Sequence, residues 1–489
     1  MGLFSDTLAA ALYKQSDLTG QLGDLDDAIA LHHKALKLLP APHPDRLNSL
    51  NNLGSALVMR FNHTSKIEDV DEAITLHQEA LSLQPASHPD RPRLLHNFAF
   101  ALQKHFSHQR LLLDLEEAII ICQESLDMLP QDHPHNCMVS ITLGNQLMDM
   151  YYHTQHSGHL DNAMATFRAA VTCQSAPASE RLTAAQYWAH HADDGNHDSA
   201  LEAYQHVMEL LLCLAMLGLD LQWHQQVLKW GDVLVQNAAA CAIQYGQVDR
   251  AVEFIEEGQN MFYSQALQLH KPLDRLSLVA PNLTQKLWDS SHALEQGAFQ
   301  NVSINLPDTQ QQLSLEQETA HYCCLSRDWF LALEEVRRLD GFEDFLGPKP
   351  LVKLQKAAAM GPVVILNASE SGCAALVITL SSVQHVPLPK FTMKVARMLV
   401  DQIQHASSAV SVARSQLKTL MQQTGIPSRP LYQYDRQRGN LPVVRNLNPD
   451  DIFRRVLATL WTLVAEPVVH CLALTVSDSI YFLHPQTYF

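Results

Sequence analysis

Apolar residues recur at helical spacing through the first third of the chain. Around residue 76 they are Ala73, Leu76, Ala80 and Leu83, three or four positions apart, which places them on one face of an α-helix. Acidic residues precede this face, where the positive end of the helix dipole favours them. Pro85 follows it, and proline ends a helix because it has no amide hydrogen to donate. The stretch therefore predicts an amphipathic helix.

A second helical face precedes this one and contains a small residue. Leu53 and Leu57 flank Gly54, and a glycine or alanine within an apolar helix face lets a neighbouring helix come close. The same arrangement recurs further along the chain, at Phe98-Ala99 with Leu102 and at Leu143-Gly144 with Leu147. The two faces together predict a pair of packed helices.

This helix pair is repeated at a fixed interval. The alanines of the second helix lie 45 residues apart, and so do three His-Pro pairs: Ala28, Ala73, Ala118 and Ala163; His43-Pro44, His88-Pro89 and His133-Pro134. A constant period of this length is typical of a solenoid of stacked units. We expect the His-Pro pairs to form the turns between units.

The repeat unit resembles the tetratricopeptide repeat (TPR). Ala73, Ala80 and Pro85 fit the family's spacing of two alanines and a proline in the second helix. Gly54 to Ala73 is 19 positions, about seven more than a repeat of roughly 34 residues shows. We therefore expect an enlarged turn between the helices, around residues 62–66. The resemblance implies a right-handed α-solenoid.

The pattern changes twice after the regular repeats. Helical pairs continue without the strict period, and a Gln-rich helical stretch follows. After Pro348, short β-branched runs predict strands, and two helices follow them. The predicted domains are regular repeats at 1–174, degenerate helical repeats at 175–272, a helical connector at 273–347 and a partial α/β domain at 348–489; the predicted strands lie at 361–367, 374–380, 383–388 and from 480, and the predicted helices at 393–423 and 450–469.

The order of these segments resembles the CHAT-domain proteins, caspase-like relatives of cysteine proteases that are attached to TPRs and are frequent in mushroom-forming fungi. The motifs that carry the resemblance are Ser264–Leu269, Gly361–Asn367, Val383–Leu388 and Leu460–Val468. The family's active site is a His-Cys dyad on strands that follow the helix ending near Pro467. Because few residues follow Pro467, we expect an incomplete, inactive CHAT domain and assign no catalytic residue. The alternative is a fragment of a CHAT-family cysteine peptidase whose dyad lies beyond the chain end.

Composition narrows the classes of partner. The net charge of −17 argues against nucleic acid, whose phosphates require clustered Lys and Arg. The most apolar run, 210–219, is about half the length of a membrane span. The nine cysteines include no CxxC pair, which is typical of reduced thiols in a cytoplasmic protein. We expect no membrane segment and no cofactor, since no P-loop or dinucleotide-binding motif is present.

Two clusters could carry chemistry. Cys373 and His385 could act as nucleophile and base, or could be structural residues of a hairpin. The histidines and aspartates between residues 190 and 197 could bind a metal, but their spacing matches no zinc pattern, so a solvated loop is the better interpretation. The members of this second cluster are His190, His191, Asp193, Asp194 and His197.

Asn52 and Asn97 recur 45 residues apart on the predicted first helices. They could face the concave groove, where such solenoids hold a protein or peptide ligand, or they could form local hydrogen bonds. The sequence thus predicts a protein–protein interaction scaffold with no metal site, and Asn52 and Asn97 as its candidate binding residues.

Overall fold

The computed structural model describes most of the chain. The described residues are 8–13, 22–40, 43, 45–86, 88, 90–130, 133–216, 221–266, 271–298, 321, 324–325, 327–345, 349–404, 449–472 and 481–483. They divide into two compact units, the first formed by residues 1–231 and 261–346 and the second by residues 232–260 and 347–489. No helix within the described ranges is long and apolar enough to cross a membrane.

The first unit is built from alternating A and B helices. The A helices are α1 (8–13), α3 (Arg46–Thr64), α5 (Arg91–Gln109), α7 (His135–Thr154) and α9 (Ala178–Asp194); the B helices are α2 (Leu22–Leu38), α4 (Ile67–Leu83), α6 (Leu112–Met128), α8 (Ser157–Thr172) and α10 (Ala200–Met216). Helices α2, α4, α6 and α8 begin 45 residues apart. The predicted solenoid of helix pairs is confirmed.

The turn between the helices of a pair is short, so the expected enlargement at residues 62–66 is wrong. Only Ser65 and Lys66 separate α3 from α4, and the extra residues lengthen the helices to 19 and 17 residues. The polar run that ends α3 has the composition of a loop. Val58 and Phe61 are nevertheless buried, and their burial holds these last turns in helical form.

Three A helices, α3, α5 and α7, end in a left-handed residue that is not glycine. The three residues lie 45 apart, and each donates its N–H to the carbonyl four positions earlier: Ser65 (φ 56°) to Phe61, Arg110 (φ 59°) to Phe106 and Gln155 (φ 56°) to Tyr151. Residues other than glycine adopt this conformation at a cost of about 1 kcal/mol. These three repeats therefore retain a strained position at the end of the A helix.

This strain predicts that Ser65→Gly stabilises the protein. We expect the free energy of unfolding to rise by about 0.5–1 kcal/mol, since glycine reaches positive φ without steric cost. The matched control is Lys66→Gly, because Lys66 has ordinary extended backbone angles (φ −79°, ψ 110°) and should only lose stability. Urea denaturation of both variants measures the difference. A loss of stability in Ser65→Gly would show that the position is not strained.

In two repeats the glycine of the A helix lies against a large residue of the paired B helix, 23 positions on. A Cβ on Gly54 would lie 2.6 Å from His77 Nε2, and one on Gly144 would lie 2.5 Å from Phe167 Cε1. In two other repeats the equivalent position of the A helix holds alanine, and the equivalent position of the B helix holds histidine or cysteine. All four residues are buried: Ala9 with His32 and Ala99 with Cys122. The predicted close approach of the two helices is confirmed.

A charged contact repeats with the same period. Arg60 of α3 donates to Asp69 of α4 at 2.7 and 2.9 Å and to Asp26 of α2 at 3.0 Å. The equivalent three residues, 45 positions on, form the equivalent contacts: His105, Asp114 and Asp71. One A-helix side chain thus joins its own B helix to the preceding one.

The His-Pro connectors act as predicted. In each of them the histidine ring accepts, through Nδ1, the N–H of the residue two positions later, at 3.1–3.3 Å: His43 from Asp45, His88 from Asp90 and His133 from His135. An imidazole thereby takes the place of the usual Asp or Ser acceptor before a helix.

Further helices of the described residues follow the ten just given. They are α11 (Leu221–Gln244), α12 (Val248–Ala266), α13 (Lys271–Val279), α14 (Pro281–Ala298) and α15 (327–337). A Cβ on Gly258 of α12 would lie 2.5 Å from Val235 of α11, which is again a small–large pair 23 residues apart. Here the large residue lies in the first helix and the small one in the second, the reverse of the order in the repeats, but the close approach of paired helices is the same. Residues 232–260, which carry this contact, belong to the second compact unit.

The second unit contains a four-stranded sheet of order β3-β2-β1-β4. β1 pairs antiparallel with β2, and β2 with β3, whereas β4 runs parallel to β1. The elements are α16 (Leu351–Leu354), a 3₁₀ turn (Gln355–Met360), β1 (Val363–Ala368), β2 (Cys373–Ile378), β3 (Val383–Pro387), α17 (393–404), α18 (Pro449–Leu460), a π-helical turn (Trp461–Ala465), α19 (Glu466–Cys471) and β4 (Tyr481–Leu483). The strand predictions and the helix at 450–469 are confirmed; residues 405–423 of the other predicted helix lie outside the described residues.

Helices contact both faces of this sheet. Residues of β2 alternate between the faces, and Ala375 and Val377 pack with Val464 and Val468. On the other face Asn367 Nδ2 donates to the carbonyl of Gln236 in α11 at 3.0 Å. The second unit is therefore a layered α/β arrangement.

Candidate protein-binding surface

The A helices lie on the tighter side of the stack. α3 contacts α5, α5 contacts α7 and α7 contacts α9 directly, whereas neighbouring B helices approach one another less closely. Elements on the inner side of a curved stack lie closest together. The exposed surface of the A helices therefore lies on the side of the stack where neighbouring repeats approach most closely.

A largely polar stripe lies on this side, and its residues on α3 and α5 are partly exposed. On α3 it consists of residues 48, 52, 55 and 59, which lie on one helix face because they are three or four positions apart. We call this stripe, with its equivalents 45 and 90 residues on, the A face. The structure places both Asn52 and Asn97 on the A face, each partly exposed.

Asn97 already has a partner in the neighbouring repeat. Its Nδ2 donates to Asn51 Oδ1 at 2.9 Å. The contact joins residues 46 apart. The 45-residue period of the sequence instead relates Asn97 to Asn52, and it gives no sign that Asn51 is the partner. The Asn97 amide thus links α5 to α3 and keeps one amide hydrogen for a ligand.

The offset of 46 residues recurs between α5 and α7. His96 Nε2 lies 2.8 Å from Thr142 Oγ1, and Gln103 Nε2 donates to an Asp149 carboxylate oxygen at 2.8 Å. Side chains of stacked A helices therefore meet one position past their repeat equivalents. This series of side-chain hydrogen bonds fixes the stagger between neighbouring helices.

Asp149 and Lys104 are the charged groups at the centre of the A face. Lys104 Nζ lies over the Phe100 ring, 4.7 Å from its centroid. Burial lowers the pKa of Lys104 and raises the pKa of Asp149. Water screens these charges only partly, so a polar group of a ligand would interact with them more strongly than with fully solvated charges.

Two tyrosines adjoin the A face: Tyr152 follows Asp149 by three residues on α7, and Tyr187 of α9 lies 135 residues after Asn52. Tyr152 donates to an Asp194 carboxylate oxygen at 2.9 Å, and burial raises the pKa of Tyr152 to about 12. The Tyr187 ring stacks on the rings of Phe167 and His191, with 6.2 Å between ring centroids in each pair. Tyr152 is 45% exposed and Tyr187 40%. Half-exposed tyrosines are frequent anchors of protein interfaces, and the sequence analysis did not single them out.

The His/Asp cluster at 190–197 is dispersed. Asp194 is bound by Tyr152, Asp193 accepts from Tyr204 at 3.3 Å, and His197 contacts Asp161 at 3.3 Å. Most of the cluster lies at the end of α9 and not in a loop. Over the part of the chain that the structure describes, no group of three or more metal-binding side chains is found.

Cys373 and His385 cannot act as nucleophile and base. His385 pairs with Leu376 across the β2–β3 ladder, and Leu376 is three residues from Cys373. Side chains alternate along a strand, so the thiol and the imidazole project from opposite faces of the sheet. Burial raises the pKa of the Cys373 thiol, which disfavours the thiolate. The structural interpretation of these two residues is therefore the better one.

Comparisons with known proteins identify the repeat. The tetratricopeptide repeat family matches residues 46–90. A solved structure of nearly identical TPR-like repeats from Podosopora anserina, described as those of a kinesin light chain, is 19% identical, covers 42% of this chain and 95% of its own, and has a TM-score of 0.31. A search of curated proteins finds no match to the chain.

Proposed function

We propose that the protein is an interaction scaffold whose A face binds a protein or peptide ligand. The observation that carries the proposal is the largely polar A face on successive A helices, with repeat-related amides, the charged groups Lys104 and Asp149, and two half-exposed tyrosines beside it. Ordered repeats that present polar and aromatic groups along one face suit an extended peptide. The tetratricopeptide match of residues 46–90 supports the same role.

Asn52 and Asn97 are the proposed amide contacts of this site. A side-chain amide presents both a donor and an acceptor, which is what an extended peptide backbone requires. Asn97 is held in place by Asn51, and a fixed amide loses less entropy on binding than a free one. Asn52 is the residue whose substitution removes a ligand contact without breaking that pair.

For the second unit we propose a CHAT-like, caspase-related module that is inactive in this chain. An α/β module of this kind is supported by three features of the sheet. Strands β1, β2 and β3 are antiparallel neighbours, β4 is parallel to β1, and helices contact both faces. The opposite orientation of Cys373 and His385 supports the absence of catalysis by these residues. The scattered cysteines support a cytoplasmic location.

A second candidate function is cysteine peptidase activity of a CHAT-family protein. The observation that favours it is the α/β sheet with a strand added parallel to β1 after α19. A peptidase assay on a peptide library distinguishes the two candidates. Peptide cleavage that a thiol alkylator abolishes would establish peptidase activity and contradict the proposal that the module is inactive.

The scaffold proposal predicts a specific effect of Asn52→Ala. Peptides are selected on the full chain from a phage-displayed library, and their affinity is measured by fluorescence anisotropy. We expect Asn52→Ala to weaken binding about tenfold, the loss of one well-placed hydrogen bond. The control is Gln78→Ala, an exposed amide on the B helix α4, which should leave affinity unchanged. Equal affinity for wild type and Asn52→Ala would remove Asn52 from the site.

A further inference from the structure

A second groove lies away from the A face, between two B helices. Its walls are α6 and α8, its floor is formed by α7, and its volume is about 850 Å³. Leu143 and Leu147 form a buried apolar floor, while Ile120 at the rim is 67% exposed. Ile120 therefore adds exposed apolar surface beside the apolar floor of this groove.

Small residues on one wall open this groove. At the positions where α6 carries Ile120 and Ile121, α8 carries Ala165 and Thr166. Ala165 and Thr166 line the groove, and their small side chains leave space above its floor.

The groove is acidic at its rim. Glu124 and Asp127 of α6 line it, and its lining contains neither Lys nor Arg. Both acidic residues are exposed, so their charges reach an incoming partner. An apolar floor between acidic positions is complementary to an apolar strip flanked by positive charges.

We propose that the α6–α8 groove binds an amphipathic helix of another protein, with aliphatic residues on one face and Lys or Arg beside them. The aliphatic residues contact Ile120, Leu143 and Leu147, and the basic residues pair with Glu124 and Asp127. This is the helix-in-groove mode of recognition. An elongated partner suits the site better than a small molecule, because both walls are exposed and would leave a small ligand open to water.

This surface adds a second contact to the scaffold and does not depend on the A face. The probe is a fluorescein-labelled Leu/Lys peptide of about 15 residues, long enough to form a helix. Its negative control is a Leu/Glu peptide of the same pattern. Fluorescence anisotropy on the full chain measures affinity, and hydrogen–deuterium exchange locates the bound peptide. Binding of library-selected peptides to the A face tests the scaffold proposal in a separate experiment. Either proposal can therefore be contradicted while the other stands.

Two variants test the groove. We expect Ala165→Trp, which fills it, and the pair Glu124→Lys/Asp127→Lys, which reverses its charge, each to weaken the Leu/Lys peptide at least about tenfold. The matched controls are Thr75→Trp, the equivalent exposed position of α4, and Glu116→Lys/Glu117→Lys, exposed on α6 outside the groove lining. Both controls should retain affinity, and circular dichroism checks that every variant is folded.

The expected result includes slower exchange at residues 119–128 and 162–166 when the peptide binds. Three results would overturn the proposal: no binding to wild type, equal weakening by both charge-reversal pairs, or protection confined to α3 and α5. The second of these would show attraction by net charge alone, since the two pairs change the charge equally.

Discussion

Gly144→Ala is expected to lower the free energy of unfolding by about 2 kcal/mol, the usual cost of overpacking. The added Cβ would lie 2.5 Å from Cε1 of the Phe167 ring, and a ring cannot move aside as the end of a flexible chain can. At an open helical position the same substitution stabilises by about 1 kcal/mol. The sign of the change therefore decides whether the α7–α8 contact is as close as the structure places it.

A double-mutant cycle isolates this contact. The second substitution is Phe167→Cys, which introduces the residue that faces Ala99 in the preceding repeat, Cys122. In that background we expect Gly144→Ala to be neutral or stabilising, which corresponds to a coupling energy of about 2–3 kcal/mol. Gly23→Ala is the control, since no atom lies within 4 Å of its Cβ position. Because the chain has two units, stability is read from hydrogen exchange of α7 and α8. An equal cost in both backgrounds would contradict the contact.

Acidification from pH 7 to pH 5 is expected to destabilise the repeats by about 2 kcal/mol for each fully buried histidine. Burial lowers the pKa of His77 to about 4 and that of His96 to about 3. Below the ordinary pKa of 6.5 the unfolded chain takes up protons that the folded chain does not. The free energy of unfolding therefore falls as the pH drops from about 6.5 towards 4.

Other buried groups modify this effect. Burial lowers the pKa of His135 and of His191 to about 4, which adds to the acid destabilisation. Burial raises the pKa of Glu180 to about 7, so this carboxyl binds a proton in the folded state and offsets part of the loss. The pH dependence of one substituted histidine is therefore a cleaner measure than the total.

His77→Phe is that substitution. The ring would face Gly54 as Phe167 faces Gly144, so the repeat itself shows that the pair fits. Because both ring nitrogens of His77 are buried without a hydrogen-bond partner, we expect His77→Phe to raise stability at pH 7 by about 1–3 kcal/mol. It should also remove about 2 kcal/mol of the loss between pH 7 and pH 5. His63→Phe, at an exposed position of the same repeat, is the control. An unchanged pH dependence in His77→Phe would show that His77 is solvated.

The sequence predicts those parts of the fold that depend on short-range periodicity. The faces around Ala73 and Gly54 repeat with helical spacing, and a repeated face must be buried against its neighbours. The strands after Pro348 are similarly evident from β-branched runs between turn residues. In both cases burial requires apolar residues at regularly spaced positions, and this spacing is visible in the sequence.

Long-range geometry could not be predicted from the same patterns. The extra residues of the repeat lengthen α3 because Val58 and Phe61 are buried in the stack, whereas their polar neighbours have the composition of a loop. The Asn97–Asn51 bond crosses between repeats with an offset of 46 residues, which depends on the stagger of the helices. The opposite orientation of Cys373 and His385 depends on strand register, which a hairpin sequence alone does not give.

The central claim is that the A face binds the ligand. Hydrogen–deuterium exchange of the full chain, with and without a peptide selected from the library, tests it most directly. The account predicts slower exchange that recurs in the A helices Arg46–Thr64, Arg91–Gln109 and His135–Thr154. Protection confined to the second unit, with the A helices unchanged, would contradict it.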